Sequence, residues 1–300
     1  MTIHTIAVLG LGTMGHAIAQ VFAQAGYRVR GFDAVPAARA TCHARLRRNG
    51  AAPATVRRLR IFDTVAAAVA GADFVLEAVR EDLPTKQQLF AELETLVRSQ
   101  TILASNTSTF PMTKIAAKLQ RPERCVDMHW FNPPHIVPLV EVVPGRKTSA
   151  ATVKTTLALV RRVGKVAVHV RKEVPGFITN RVQVAMLREV LDLWQNGVAS
   201  PEDIDRAVSA SLGFRLAALG PLQIADFTGH DVLAKVYREI APRLRSDGKL
   251  PAALAQMVKA GHLGVKAGRG IYRYTPRSAR TKMTERDRKF RALAKLLQDA

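Results

Sequence analysis

The segment that most restricts the fold is Gly10-Leu11-Gly12-Thr13-Met14-Gly15, which follows the apolar run Ile6–Leu9 and opens the helical pattern Gly15–Gln24. A strand that turns through three such glycines into a helix is the opening of a dinucleotide-binding βαβ unit. The first glycine permits the tight turn, the second lets a pyrophosphate approach the backbone, and the third lets helix and strand pack closely. The helix N-terminus then faces the phosphates. Asp33 stands 23 residues after Gly10, just past the next apolar run, Arg28–Phe32. A carboxylate there bonds a ribose 2′-hydroxyl and repels a 2′-phosphate. The expected cofactor is NAD, held by Gly10, Gly12, Thr13, Met14, Gly15 and Asp33.

Further apolar runs continue the alternation. Phe74–Ala78, Thr101–Ala104 and Cys125–His129 read as strands, with helical patterns over Lys86–Val97 and Met112–Leu119 among them. Leu139–Val143 and Lys165–Val170 add two strands around the helical stretch Ala150–Val163. Strands alternating with helices predict the α/β class, a Rossmann-like, doubly wound and mostly parallel sheet. The pattern changes at Val174-Pro175-Gly176-Phe177. Beyond it lie helical stretches over Ile178–Gln195, Pro201–Ser211, Gln223–Arg243 and Leu250–Lys259. The expected domains are therefore 1–174, binding NAD, and 175–300, all-α, with 276–300 as a basic, helix-prone tail. Ser200, just before Pro201, is placed to cap a helix whose first turn holds Glu202 and Asp203.

Three hundred residues, 48% of them hydrophobic, can fill two cores. No basic leader followed by an apolar helix precedes the first strand, and no apolar run approaches the roughly 20 residues that span a bilayer. Neither a signal peptide nor a membrane role is expected. Cys42 and Cys125 stand far apart without metal spacing and read as free thiols in a reducing, cytoplasmic setting. The net charge of +21, from 45 Lys+Arg against 24 Asp+Glu, raises the question of nucleic acid. No helix-turn-helix, zinc-finger or RNP-like pattern supports it, and the cations are dispersed along the chain. A positive field still favours an anionic cofactor or substrate. His4, His16, His43, His169, His230 and His262 lack partner spacing, so no metal site is expected.

The chemistry concentrates in Asp127-Met-His129-Trp-Phe-Asn132-Pro-Pro-His135-Ile-Val-Pro-Leu-Val-Glu141. Oxidising a secondary alcohol needs a base for the hydroxyl proton while hydride leaves the carbon. Imidazole suits that task because it titrates near neutrality. A carboxylate on its other nitrogen fixes the tautomer and stabilises imidazolium. His129 at a strand end and Glu141 on the next strand are placed to pair across the sheet. His135, held in a Pro-rich loop, reads as structural or substrate-shaping.

Several motifs in series resemble the L-3-hydroxyacyl-CoA dehydrogenase family. They are Ser105-Asn106-Thr107-Ser108, His129-Trp-Phe-Asn132-Pro, Glu141, Pro175-Gly-Phe-Ile-Thr-Asn180-Arg, Gly220-Pro-Leu and Gly264-Val-Lys-Ala-Gly-Arg-Gly270-Ile-Tyr272. The resemblance covers nearly all of 1–275. It implies His129 as catalytic base and Glu141 as its orienting partner, with Ser108 and Asn180 bonding the substrate oxygen. It also implies Glu77, Lys86 and Asn106 on the nicotinamide side of the cofactor, and Asn132 supporting the active-site loop. Beside these stand plainer readings: Ser108 as a helix cap, Asn180 as a helix-start residue, Lys86 on a solvated helix face. The resemblance further implies oxidation of an L-3-hydroxyacyl-CoA in fatty acid metabolism, a homodimer formed through the helical domain, and a site in the cleft between domains.

One region departs from that family. Its members resemble one another in a long helical hairpin after the second strand, which helps to hold CoA. Here only Val35–Arg60 separates that strand from Ile61-Phe-Asp-Thr, with Pro36, Gly50 and Pro53 inside it. Arg39, Arg45, Arg47, Arg48, Arg57, Arg58 and Arg60 are placed to meet CoA phosphates or to form a solvated face. The Asn132–Glu141 stretch is also similar to relatives that oxidise free acids, among them gulonate, carnitine and formyl-hydroxy-methylpyridine carboxylate dehydrogenases. The glycine loop resembles β-hydroxyacid dehydrogenases too, but their lysine motif has no clear counterpart. A crystallin-like bulk role, known in λ-crystallin, runs against the complete Ser/His/Glu/Asn set.

Overall fold

The computed structural model describes residues 2–298. Among them eight strands make one sheet: β1 (Thr5–Leu9), β2 (Arg28–Phe32), β3 (Leu59–Ile61), β4 (Phe74–Glu77), β5 (Ile102–Ser105), β6 (Cys125–Trp130), β7 (Leu139–Pro144) and β8 (Val166–His169). Their order is β3-β2-β1-β4-β5-β6-β7-β8, parallel throughout except where β7 runs antiparallel to β6. This is the doubly wound sheet that the alternation predicts.

The helices between strands are α1 (Gly15–Gln24), α2 (Pro36–Arg48), α3 (Pro53–Arg58), α4 (Val65–Val69), α5 (Leu83–Leu96), α6 (Met112–Ile115) and α7 (Ala150–Arg162). Their apolar residues cover both sheet faces, so the strands read as continuous apolar runs rather than alternating ones. Ile6 and Val8 of β1 join one core with Ile18, Phe22, Leu46 and Val160. Ala7 and Leu9, one residue out of phase, join the other with Phe90, Leu93 and Met112. Residues just beyond the ends of the parallel strands, where ligands bind in open α/β sheets, then supply the site.

Three local details differ from expectation. α5 starts at Leu83 rather than Lys86, because Asp82 accepts bonds from the Thr85 N–H (3.0 Å) and hydroxyl (2.6 Å) and so caps an earlier turn. α6 is four residues long instead of running to Leu119, because beyond it the chain closes in tighter turns, with the Ala117 N–H on the Lys114 oxygen (3.4 Å) and the Leu119 N–H on the Ala116 oxygen (3.1 Å). Residues 35–60 fold as two short helices and the unforeseen strand β3, in place of a long hairpin.

The chain divides into two units at Arg181–Val182. α8 (Thr179–Gln195), α9 (Pro201–Val208), a π-helical turn (Ser209–Gly213), α10 (Phe214–Leu216), α11 (Pro221–Thr228), α12 (His230–Ile240), α13 (Ala252–Lys259) and α14 (Pro276–Gln298) complete the elements. Ser200 caps α9 by accepting the Asp203 N–H (3.1 Å). Gly229, at φ 89°, breaks the predicted Gln223–Arg243 stretch into α11 and α12. The tail predicted as helix-prone is α14; residues 299 and 300 lie outside the described residues. Unit two has hardly any core: Leu191, Ile204 and Pro251 are its buried residues among those described. Phe214, Leu222, Phe227 and Tyr237 are 69–82% exposed.

Candidate active site

The glycine loop is built as its residues dictate. Gly10 sits at φ +90°, and a Cβ there would come within 2.5 Å of the Ala78 carbonyl oxygen. A Cβ on Gly15 would meet the Gly10 oxygen at 1.7 Å, so α1 packs on β1 only through glycine. Gly12 faces open space, which leaves room for a phosphate against the backbone. Asp33, just after β2, accepts the N–H groups of Leu11 (2.6 Å) and Val35 (2.8 Å) and thereby ties the loop to the next strand.

Two cavities adjoin this loop and share Ala78, Val79 and Arg80 in their walls. One, of about 630 Å³, holds Gly10, Gly12, Asp33 and apolar Val35, Val65 and Leu89. The other, of about 540 Å³, holds Thr13, Met14, Asn106, Ser108, His129, Asn132 and Asn180. An acid for the ribose at one end, a glycine cradle between, and an imidazole at the other end fit a bound NAD.

His129 and Glu141 are register partners across β6 and β7. The Nδ1 of His129 lies 2.8 Å from Glu141 Oε2. Glu141 is fully buried, and its Oε1 accepts both the N–H (2.9 Å) and the hydroxyl (3.0 Å) of Thr179. Burial pushes the Glu141 carboxyl upward, but the bonds from His129 and Thr179 outweigh it and hold it below the ordinary range. An ionised carboxylate only accepts, so Nδ1 is the donor, and Nε2 is the imidazole nitrogen left for a ligand. Phe131 and Phe177 flank the ring at centroid distances of 4.4 and 5.4 Å.

A second charged cluster runs from Glu81 at the cavity wall back into the core. Lys86, 1% exposed, donates to Glu77 Oε1 (2.6 Å) and lies 3.2 Å from Glu81 Oε2. Glu77 also accepts the Val79 N–H (2.7 Å) and the Ser105 hydroxyl (2.7 Å). Glu81 accepts the Thr107 hydroxyl and the N–H groups of Ser108 and Thr109 (3.2 Å each), so it suspends the loop that carries Ser108. Burial raises the Glu81 carboxyl, yet these bonds and Lys86 bring it below its usual value. Asp127, two residues before His129 on the same face of β6, is fully buried, and burial, outweighing the adjacent Met128 N–H and Lys86, pushes it well above the ordinary range.

Sequence reasoning thus places Gly10, Gly12, Thr13, Met14, Asp33, Asn106, Ser108, His129 and Asn180 on the cavity walls. Gly15 closes the turn instead of lining it, and Glu141 stands behind His129. Glu77 and Lys86, expected beside the nicotinamide, are buried one layer back, and a solvated Lys86 is excluded. Ser108 caps no helix: Pro111 precedes α6, without a side-chain cap. Arg80, Glu81 and Thr179 were missed. Glu81 follows Glu77, the last residue of β4, by four residues in the loop to α5, the only hint the sequence offers.

Comparison with known proteins decides the family. The model of the 3-hydroxyacyl-CoA dehydrogenase NAD-binding domain matches residues 5–174, and that of the 3-hydroxyacyl-CoA dehydrogenase C-terminal domain matches 176–274. The chain belongs to the 3-hydroxyacyl-CoA dehydrogenase family. It is accordingly an NAD-dependent dehydrogenase acting on CH–OH groups. It is 38% identical to the 5-formyl-3-hydroxy-2-methylpyridine 4-carboxylate 5-dehydrogenase of Mesorhizobium japonicum, with 99% of each chain covered. A crystal structure of an enzyme of that name, an NAD+-dependent dismutase, superposes with a TM-score of 0.94 at 37% identity, again over 99% of each chain. The (S)-3-hydroxybutyryl-CoA dehydrogenase of Ralstonia eutropha superposes at 0.73 with 34% identity, over 91% of this chain and 100% of that one.

Proposed function

We propose that this dehydrogenase oxidises the CH–OH group of a small carboxylate-bearing substrate, with His129 as the base. The observation that carries the reading is the His129 Nδ1–Glu141 Oε2 bond of 2.8 Å at the wall of the cavity. It leaves Nε2 as the acceptor for the hydroxyl proton, and Glu141 stabilises the imidazolium that results. Ser108 and Asn180, on the same wall, bond the substrate oxygen and hold it toward Nε2. Asp33 and the glycine loop hold the cofactor. NAD, when bound, accepts the hydride from the substrate carbon. An aldehyde enters the same chemistry as its hydrate, which carries a CH–OH group.

The preference for a small acid rests on charge. Arg80 is the only lysine or arginine lining the cavity with His129, and its side chain makes no ion pair among the described residues. None of the seven arginines between residues 39 and 60 lines either cavity. Arg45 is spent on the carbonyls of Gly12 (3.2 Å) and Ala38 (2.8 Å), and Arg39 on that of Asp33 (2.6 Å). The TM-scores of 0.94 and 0.73 point the same way. A 3-hydroxyacyl-CoA remains the second reading, favoured by the two matching family models and by exposed Arg47, Arg48, Arg57 and Arg58.

Substrate consumption should be followed beside NADH formation with (S)-3-hydroxybutyryl-CoA, carnitine and the formyl-hydroxy-methylpyridine carboxylate in parallel, because a dismutation leaves no net NADH. Turnover of the CoA ester alone would overturn the small-acid reading. Arg80→Gln should raise the KM of a small acid about tenfold or more, the effect of losing a charged hydrogen bond. Its NAD affinity should stay put; a loss confined to NAD affinity would assign Arg80 to the cofactor instead. The bare apolar surface of unit two further supports a homodimer, in which a second copy covers Leu222 and Phe227. Sedimentation should give the mass of two chains, and a monomer at micromolar concentration would remove this part of the proposal.

A further inference from the structure

We propose that Thr179 is a positioning residue of the oxidation step, whose hydroxyl fixes Glu141 so that the carboxylate serves His129. The inference rests on His129 being the base. The two Glu141 oxygens divide their partners without overlap. Oε2 meets His129 Nδ1 at 2.8 Å, while Oε1 takes the Thr179 N–H at 2.9 Å and its hydroxyl at 3.0 Å. Strand register alone sets the Cα of Glu141 opposite His129; it does not set the three torsions of the glutamate side chain. Two donors on one oxygen remove that freedom and aim the other oxygen at Nδ1.

Thr179 is suited to the task by its place in the chain. It is the first residue of α8, a helix of 17 residues, so its N–H is one of those left without an intrahelical acceptor. The carboxylate satisfies that N–H and sits at the positive end of the helix. The hydroxyl adds a second donor to the same oxygen. Together they keep the negative charge on Glu141, so the proton taken from substrate stays on the imidazole rather than passing to the carboxylate. The charged groups that share the cavity with His129 are Arg80 and Glu81, which are of opposite sign. Val168 of β8 stands in register beside Glu141, Phe131 and Phe177 flank the imidazole, and Asp127 on the same face of β6 is driven toward its neutral form by burial.

The test compares two substitutions at one site. Thr179→Val keeps the N–H and the branched shape and removes only the hydroxyl; Thr179→Ser keeps N–H and hydroxyl. Both are assayed by substrate consumption on whichever of the three substrates named above is turned over, with thermal unfolding to confirm that each variant folds. Thr179→Val is expected to lower kcat about tenfold, the scale of one hydrogen bond to a charged group, with KM changed less than about twofold. Thr179→Ser should recover most of the loss. A carboxylate short of one donor keeps more charge for imidazolium, so the acid limb of kcat/KM should move to higher pH in Thr179→Val. Wild-type kcat and pH profile in Thr179→Val would overturn the proposal, as would equal impairment of the valine and serine variants. His129→Gln separates this failure from that of the underlying reading: if it turns over normally, the base is misassigned, whatever Thr179 does.

Discussion

Two charge clusters, each with a buried acid on the sheet, differ in what they leave open. In the first, Glu141 is saturated by His129 and Thr179, and His129 keeps one nitrogen at a cavity wall. In the second, Lys86 sits between Glu77 and Glu81, and Glu77 is further saturated by Ser105 and Val79. Glu81 of the second cluster also reaches the cavity wall, but its carboxylate is engaged by Lys86, Thr107 and the N–H groups of Ser108 and Thr109, so only the first presents an unused nitrogen to that space. Burial and charge mark both clusters; the open nitrogen is what separates a working group from a brace.

That contrast predicts opposite phenotypes, and the largest effect belongs to the first cluster. His129→Ala should lower kcat by about 10²–10⁴-fold, the usual loss for a general base, while NAD binding measured by fluorescence titration stays near wild type. The fold should tolerate the change, since the ring lies at a cavity wall. Near-full turnover in this variant would erase the distinction between the clusters.

Lys86→Met should do the reverse. Removing one partner of a buried ion pair typically costs about 3–5 kcal/mol, because the other charge is stranded. Glu77 would be left 0% exposed with no cation, and Glu81 would lose its tie to α5. Calorimetry should show Tm falling on the order of 10 °C. Turnover at a temperature where the variant remains folded should fall far less than in His129→Ala. An unchanged Tm would mean that Glu77 finds its stability elsewhere.

The same contrast explains what was legible in the sequence. The glycine loop, Asp33 and the strand series announce themselves locally, because each depends on neighbours in the chain. His129 and Glu141 are twelve residues apart on adjacent strands, so an antiparallel pair brings them together, and the family motifs pointed to their roles. For Lys86 the resemblance pointed to the cofactor, and nothing in the sequence pointed to its buried pairing with Glu77. Lys86 lies on α5 among Thr85, Gln87 and Gln88, where a charged residue ordinarily faces solvent, and only the packing of α5 against the sheet turns it inward. Thr179 was hidden in the same way. Its partner Glu141 is 38 residues away, and no periodicity links them. The short α2 and α3 were visible as a missing hairpin, yet β3 was not, since a three-residue strand leaves no pattern.

Asp127 tests the smallest effect and the subtlest point, that a buried acid can be neither brace nor tool. Its carboxyl is fully buried, and burial, outweighing the adjacent Met128 N–H and the charge of Lys86, drives it well above its ordinary value. The folded protein therefore favours the protonated form, whereas the unfolded chain ionises in the usual carboxyl range. Below that range both states hold the proton and Asp127 costs nothing. As pH rises toward the folded-state value, ionisation favours the unfolded chain and stability is lost. The amide introduced by Asp127→Asn has nearly the same shape as the carboxyl and does not titrate. The Tm of Asp127→Asn should thus match wild type near pH 4 and exceed it by on the order of a few degrees at pH 8. Activity at neutral pH should barely change, because Asp127 lines neither cavity. A variant less stable than wild type at pH 8 would reveal an ionised Asp127 drawing on Lys86. The second cluster would then hold three carboxylates around one lysine, and the Asp127 charge would count for the fold rather than against it.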